Sequence, residues 1–281
     1  MLRKVTVLAA LAGLLIATPA LAANTSLPLK PVHWSFQGPF GKYDQEQLQR
    51  GFKVYHDVCA SCHSLKLIAF RNLGDPGGPF WDRKYKTPND NAYVKSIAAE
   101  YKIPDIDSET GDPIQRPATS ADYFPWAFPN EVAARGSNGG ALPPDMSLLV
   151  KARDGGPAYI YSLLTGYAPA PDALPVPPGK FYNPYLPGDL TSQWKGDAKH
   201  VPVGGLIAMP PPLSDDRVTY DDGVKATTDQ EAQDVAAFLN WAADPKMEER
   251  KQTGLAVMIY LLLFAGVMYA SYKTIWRNVE H

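Results

Sequence analysis

The sequence predicts a mainly α-helical exported domain with long proline- and glycine-rich loops, followed by one C-terminal transmembrane helix. Three observations predict it. Apolar residues recur at helical spacing in two segments, residues 44–59 and 228–243. The 27 prolines and 22 glycines follow no collagen period, so loops should outweigh regular structure. Residues 252–272 carry no charge and, at about 1.5 Å per residue, are long enough to cross a bilayer once. The chain has 281 residues, 45% hydrophobic and 20% charged, which excludes a disordered chain and a multi-span transporter. A net charge of -2 sets it apart from nucleic-acid binders.

At the N-terminus, Arg3 and Lys4 precede an apolar run that closes on Ala20-Leu21-Ala22. The pattern is that of a cleaved secretory signal over residues 1–22, with the mature chain starting near Ala23 outside the cytoplasm; the run is too short for a span. The first helix opens at Asp44, with Gln47 three residues on as a capping-box partner. Leu48, Phe52, Tyr55 and Cys59 form its inward stripe, and Gln45, Gln49 and Lys53 point outward. A second helix begins at Thr228 with Glu231 as its capping partner. It turns Ala232, Val235, Leu239 and Ala242 inward and stops before Asp244-Pro245. The two are expected to cross close to the cysteine pair.

Arg250 and Lys251 flank the uncharged run on one side and Lys273 and Arg277 on the other, so charge alone hardly orients it. The export signal does. The expected organisation is a signal over 1–22, an exported domain over 23–245, a membrane approach and helix over 246–272 and a cytoplasmic tail over 273–281. Residues 23–253 hold 23 Lys and Arg against 28 Asp and Glu, a balance compatible with a basic partner.

The only two cysteines lie in Cys59-Ala60-Ser61-Cys62-His63, the C-x-x-C-H pattern of covalent haem c attachment. Two thiols three residues apart on a helical turn reach both vinyl groups of one porphyrin, and the next residue offers its imidazole to the iron. A thioredoxin-like pair would need a βαβ context that the preceding residues do not supply. A zinc site would need four ligands. A disulfide closed within one helical turn would be strained.

A methionine opposite the histidine makes a low-spin, high-potential haem. Met1 lies in the signal, Met258 and Met268 in the span and Met247 in its charged approach, which leaves Met146 and Met209. Met146 opens an apolar pattern with Leu149 and Val150, as a core residue would. Met209 precedes Pro210-Pro211-Pro212, a stiff extended backbone that loses little entropy on ligation, and is favoured. His56 sits on the attachment helix itself, and His200 reads as an exposed loop residue in a proline-rich stretch.

These residues, with the ordered stretches 54–59, 133–136, 138–145, 151–156, 161–167, 181–185, 209–212 and 238–245, resemble the cytochrome c1 family of bacterial type over nearly the whole mature chain. The resemblance implies a class I cytochrome c-like helical haem domain and thioethers at Cys59 and Cys62. It also implies His63 and Met209 as axial ligands of one haem c. By the same matching Asn138, Ala141, Pro143 and Pro144 line the haem, Arg153 faces a propionate, and Tyr159 and Leu164 pack the pocket. The implied role is electron transfer, not catalysis by this chain, in a dimeric quinol:cytochrome c oxidoreductase of a bacterial inner membrane, with the haem domain in the periplasm. Cytochrome b would be its neighbour, a Rieske iron-sulfur protein its donor and a soluble c-type cytochrome its acceptor. Asp105, Asp107, Glu109, Asp112, Asp215, Asp216, Asp221 and Asp222 are candidate docking charges. The rivals are a c-type subunit of another membrane oxidase or reductase, and a haem sensor or peroxidase with an open iron position. Some bacterial relatives brace the methionine side with a disulfide for which this chain has no cysteines, so packing and prolines must do that here. Residues 167–202 match the family least clearly.

Overall fold

The computed structural model describes residues 25–278, so the expected signal over 1–22 and the last three residues lie outside the described part. Helix α1 spans Gln45–Val54, and the extended Asp44 caps it by accepting the backbone N–H groups of Glu46 and Gln47. Only half of the expected capping box forms. The Gln47 amide donates across to Asp234 Oδ1 at 3.3 Å instead of returning to the cap. Gln45 and Gln49 also differ from the expectation of a free outer face. They donate to the carbonyls of Pro79 and Trp81, because a loop covers that side of the helix and its carbonyls need partners. After Val54 the chain widens into one π-type turn, Tyr55–Cys59, in which Ala60 N–H reaches the Tyr55 carbonyl at 2.8 Å.

Helix α2, Ala92–Ala99, is capped by buried Asn91. It leads into a mostly exposed antiparallel hairpin, β1 (Lys102–Ile106) and β2 (Pro113–Pro117). Two short helices follow, α3 (Glu131–Ser137) and α4 (Pro157–Leu164), the latter started by proline at its first position. Strands β3 (Phe181–Asn183) and β4 (Gly205–Ile207) pair antiparallel.

Helix α5 covers Thr228–Ala243 and ends before Asp244-Pro245, as the sequence predicts. Its cap is Thr227, one residue earlier than expected, accepting Gln230 N–H. Glu231 is no capping partner: fully buried, it accepts Val218 N–H at 3.1 Å and so anchors the preceding loop. Ala232, Val235, Leu239 and Ala242 face inward, but so do Ala236, Ala237, Phe238 and Trp241, because α5 is enclosed by the domain on most sides.

Helices α1 and α5 cross with their backbones in contact. A Cβ at Gly51 would lie 2.0 Å from the Asp234 carbonyl oxygen, so no larger residue fits. Beside the crossing, Arg50 Nε donates to the buried Asp234 carboxylate at 3.0 Å, and Phe52 and Tyr55 pack on Phe238, which stacks on Trp241. One apolar cluster built around this crossing forms the main core. The proline-rich region builds a small core of its own from Leu174, Tyr182 and Leu190, with Trp194 and Val201 against it. Asn183 ties that unit to α4 by donating to the Leu163 carbonyl.

Helix α6, Met247–Ile275, is long and apolar enough to cross a membrane, with a mean hydropathy of 2.0 over its most apolar window and none of that window buried. Its 29 residues measure about 43 Å, against a hydrocarbon core of about 30 Å.

Candidate haem site

The π-type turn at the end of α1 delivers Cys59 against the main core, where it packs in the same cluster as Met146, Tyr159 and Leu164. The next turn brings Cys62 and His63 round by bonds from both their N–H groups to the Cys59 carbonyl, at 3.1 and 2.9 Å. Burial pushes the Cys59 thiol up to about 12, with the neighbouring Cys62 adding to the shift. That is the reverse of an activated redox thiol, which needs a lowered pKa. The two cysteines are not bonded to each other.

The His63 imidazole is oriented by one contact, its Nδ1–H donating to the Pro144 carbonyl at 2.8 Å. Burial lowers its pKa, opposed by the Pro144 carbonyl and by Asp145, a shift that favours the neutral ring. With Nδ1 as the donor, Nε2 keeps its lone pair, which is the state a metal-ligating histidine requires. The 144–147 segment is itself clamped to the cysteine loop. Asp145 accepts Lys66 N–H at 2.9 Å, Ser147 Oγ accepts Leu67 N–H at 3.1 Å, and Met146 N–H donates to the Ser64 carbonyl at 2.8 Å. Tyr55 adds a bond from its hydroxyl to the His63 carbonyl.

Cys62, Pro143 and Pro144 line one small cavity beside this loop, with Trp126 and Leu142 among its walls. Asn138 ends α3, its amide donating to the Ala134 carbonyl at 2.7 Å, and Ala141 follows in the same turn with its N–H on the Asn138 carbonyl. Tyr159 is buried on α4, and Leu164 is half-buried at its end. Arg153 stands apart, exposed, with its guanidinium beside the Tyr159 hydroxyl.

Met146 is 8% exposed within the main core. Met209 is half-buried just before exposed prolines, and its hydrogen-bond link is to Tyr167, whose hydroxyl donates to the Met209 carbonyl at 3.0 Å. His200 is solvent-exposed, its ring bonded to Asp197.

The donor set suits haem c: unpaired thiols at the attachment spacing, a neutral imidazole with its second nitrogen open, and an apolar wall behind them. Among the described residues no group of three or more His, Cys, Asp or Glu side chains is placed to hold a bare metal ion. Tyr55 is read from the sequence only as part of the inward stripe and Tyr167 only as part of a matching stretch; their bonds to the His63 and Met209 carbonyls carry no sequence signal. Asp145 does belong to a recognisable Pro-Pro-Asp run.

The family model for the cytochrome C1 family matches residues 34–279. Cytochrome c1 of Rhodospirillum rubrum is 42% identical, covering 96% of each chain. The mitochondrial cytochrome c1 haem protein of Saccharomyces cerevisiae is 44% identical over 95% of this chain and 78% of its own length. The cytochrome b/c1 protein of Bradyrhizobium diazoefficiens is 45% identical over 87% of this chain, which spans only 35% of that longer protein. The match therefore takes in the cysteine loop, the α1–α5 crossing and the C-terminal apolar helix together, and the chain belongs to the cytochrome c1 family, a membrane-anchored haem c protein that serves as the electron-transfer subunit of a quinol:cytochrome c oxidoreductase and is not an enzyme on its own.

Proposed function

We propose that Cys59 and Cys62 carry the two thioethers, that His63 and Met209 are the axial ligands, and that Asn138, Ala141, Pro143, Pro144, Arg153, Tyr159 and Leu164 surround the ring. The observation that carries this reading is the His63 Nδ1–H bond to the Pro144 carbonyl, beside two unpaired thiols at C-x-x-C-H spacing. Haem c supplies a reversible Fe(III)/Fe(II) couple at which no substrate bond is made or broken. The chain's own contribution is positional. Pro144 fixes the tautomer and plane of His63, the clamp through Asp145 and Ser147 keeps that carbonyl in place, and Tyr167 holds the backbone from which Met209 projects. The apolar wall from Tyr159, Leu164 and Met146 keeps water off this face, which favours the less charged reduced state. Arg153, exposed and bonded to the Ala152 carbonyl, would pair with a propionate through its remaining N–H groups, as guanidinium groups do with carboxylates.

The finer reading places cytochrome b beside α6, a Rieske iron-sulfur protein as donor and a soluble c-type cytochrome as acceptor, in a dimeric complex. The relative named cytochrome b/c1 supports the first of these, since there the two names belong to one chain. It also keeps the organisation into a signal (1–22), a periplasmic haem domain (23–245), a membrane segment (246–272) and a cytoplasmic tail (273–281) in a bacterial inner membrane. The attachment is tested by acid–acetone extraction. Haem should stay with the wild-type polypeptide and leave a Cys59→Ser, Cys62→Ser variant that still binds it. Haem extracted from the wild type would refute the thioethers.

A further inference from the structure

A cleft of about 580 Å³ opens where the haem domain meets the first turns of α6. Trp34 and Phe36 back it on one side, Lys151 borders another, and Asp244, Arg250 and Lys251 contribute from the α5–α6 junction. Its charge is unbalanced. Arg250 Nη2 lies 2.6 Å and Lys151 Nζ 3.8 Å from the same Asp244 oxygen, so one carboxylate serves two cations. Lys251 Nζ donates to the carbonyls of Phe36 and Gly41 at 2.7 and 3.0 Å, which aim the ammonium without neutralising it. Glu248 gives no relief, since it is taken up by Tyr43 N–H on another face of the helix, and Glu249 sits with Lys246.

Arg250 and Lys251 immediately precede the uncharged run of α6. With α6 in a bilayer, the cleft therefore lies at the level of the headgroups, where basic side chains meet anionic lipid. We propose that this cleft binds the phosphate of an anionic phospholipid headgroup, with Lys151, Arg250 and Lys251 as its cationic partners. Such a lipid would fix the haem domain against the membrane surface through the one junction that joins it to its anchor. The inference rests on α6 being that anchor.

The test uses the full haem-loaded chain in vesicles of equal phosphatidylglycerol and phosphatidylcholine, followed by mild detergent extraction and native mass spectrometry of the lipid retained. The expected result is at least tenfold enrichment of phosphatidylglycerol. In Lys151→Gln with Arg250→Gln the enrichment should fall to near parity between the two lipids, with flotation and the haem spectrum unchanged. Both side chains are exposed, so these changes spare the fold, whereas Lys251→Gln would also release two backbone carbonyls. Equal retention of the two lipids, or undiminished enrichment in the variant, overturns the proposal. Retention of inorganic phosphate without any enrichment of phosphatidylglycerol would assign the cleft to free phosphate and overturn the headgroup source. A chain that does not float with the vesicles overturns the anchor reading, and the site with it.

Discussion

Tyr167 shows how one hydroxyl can stand in for a crosslink. It follows α4 directly and reaches the Met209 carbonyl across 42 positions of sequence, in a chain with no cysteines to spare for a brace. Tyr167→Phe removes only that oxygen. The expected loss is about 1 kcal/mol of local stability, read as a lower temperature at which the near-infrared iron–methionine band disappears while the rest of the fold persists. A band as heat-resistant as the wild type's would deny Tyr167 a positioning role. Tyr167 closes one of the stretches that resemble the family, but its bond to Met209 could not be read there, because a long-range bond from a side chain to a backbone carbonyl leaves no spacing to read. Cys59, Cys62 and His63 were legible for the opposite reason: their chemistry demands adjacency along the chain.

At the scale of elements, the sequence showed both helices of the crossing and misassigned their polar partners. Periodicity reports which face is apolar, so the stripes of α1 and α5 could be read directly. It does not report what a glutamine or glutamate will meet. Gln47 and Glu231, both expected as capping-box partners, are spent instead on Asp234 and on Val218 N–H, because neighbouring segments bring groups that would otherwise be buried without partners. The helix crossing depends on Arg50 in the same way. Arg50→Met leaves Asp234 buried without its cation and should cost about 3–5 kcal/mol near neutral pH. Burial already raises the Asp234 pKa, with Arg50 opposing, so the variant's value must rise further. A carboxyl with a raised folded pKa loses stability as pH rises through that value, so the deficit should shrink as pH falls toward about 4. Urea midpoints across that range check it, and a deficit independent of pH would contradict the pairing.

Over the whole molecule, the acidic surface predicted from composition is partly consumed within the fold. Asp105 pairs with Arg116, Asp222 with Arg50, and Asp215 caps the start of α5 through Thr228. Glu109, Asp112, Asp216 and Asp221 stay exposed. If they steer a basic acceptor, the bimolecular oxidation rate should fall severalfold as ionic strength rises toward the range where the Debye length is about 8 Å. Glu109→Gln with Asp112→Asn should flatten that dependence; a wild-type rate indifferent to salt would remove the docking role. The central claim, that this chain is a six-coordinate electron carrier ligated by His63 and Met209, is tested most directly by near-infrared spectra of the oxidised protein for the wild type, Met209→Leu and Met146→Leu. The expected result is an iron–methionine charge-transfer band present in the wild type and in Met146→Leu and absent from Met209→Leu, together with a large drop in reduction potential. A band that survives in Met209→Leu, or a high-spin haem in the wild type, would contradict it.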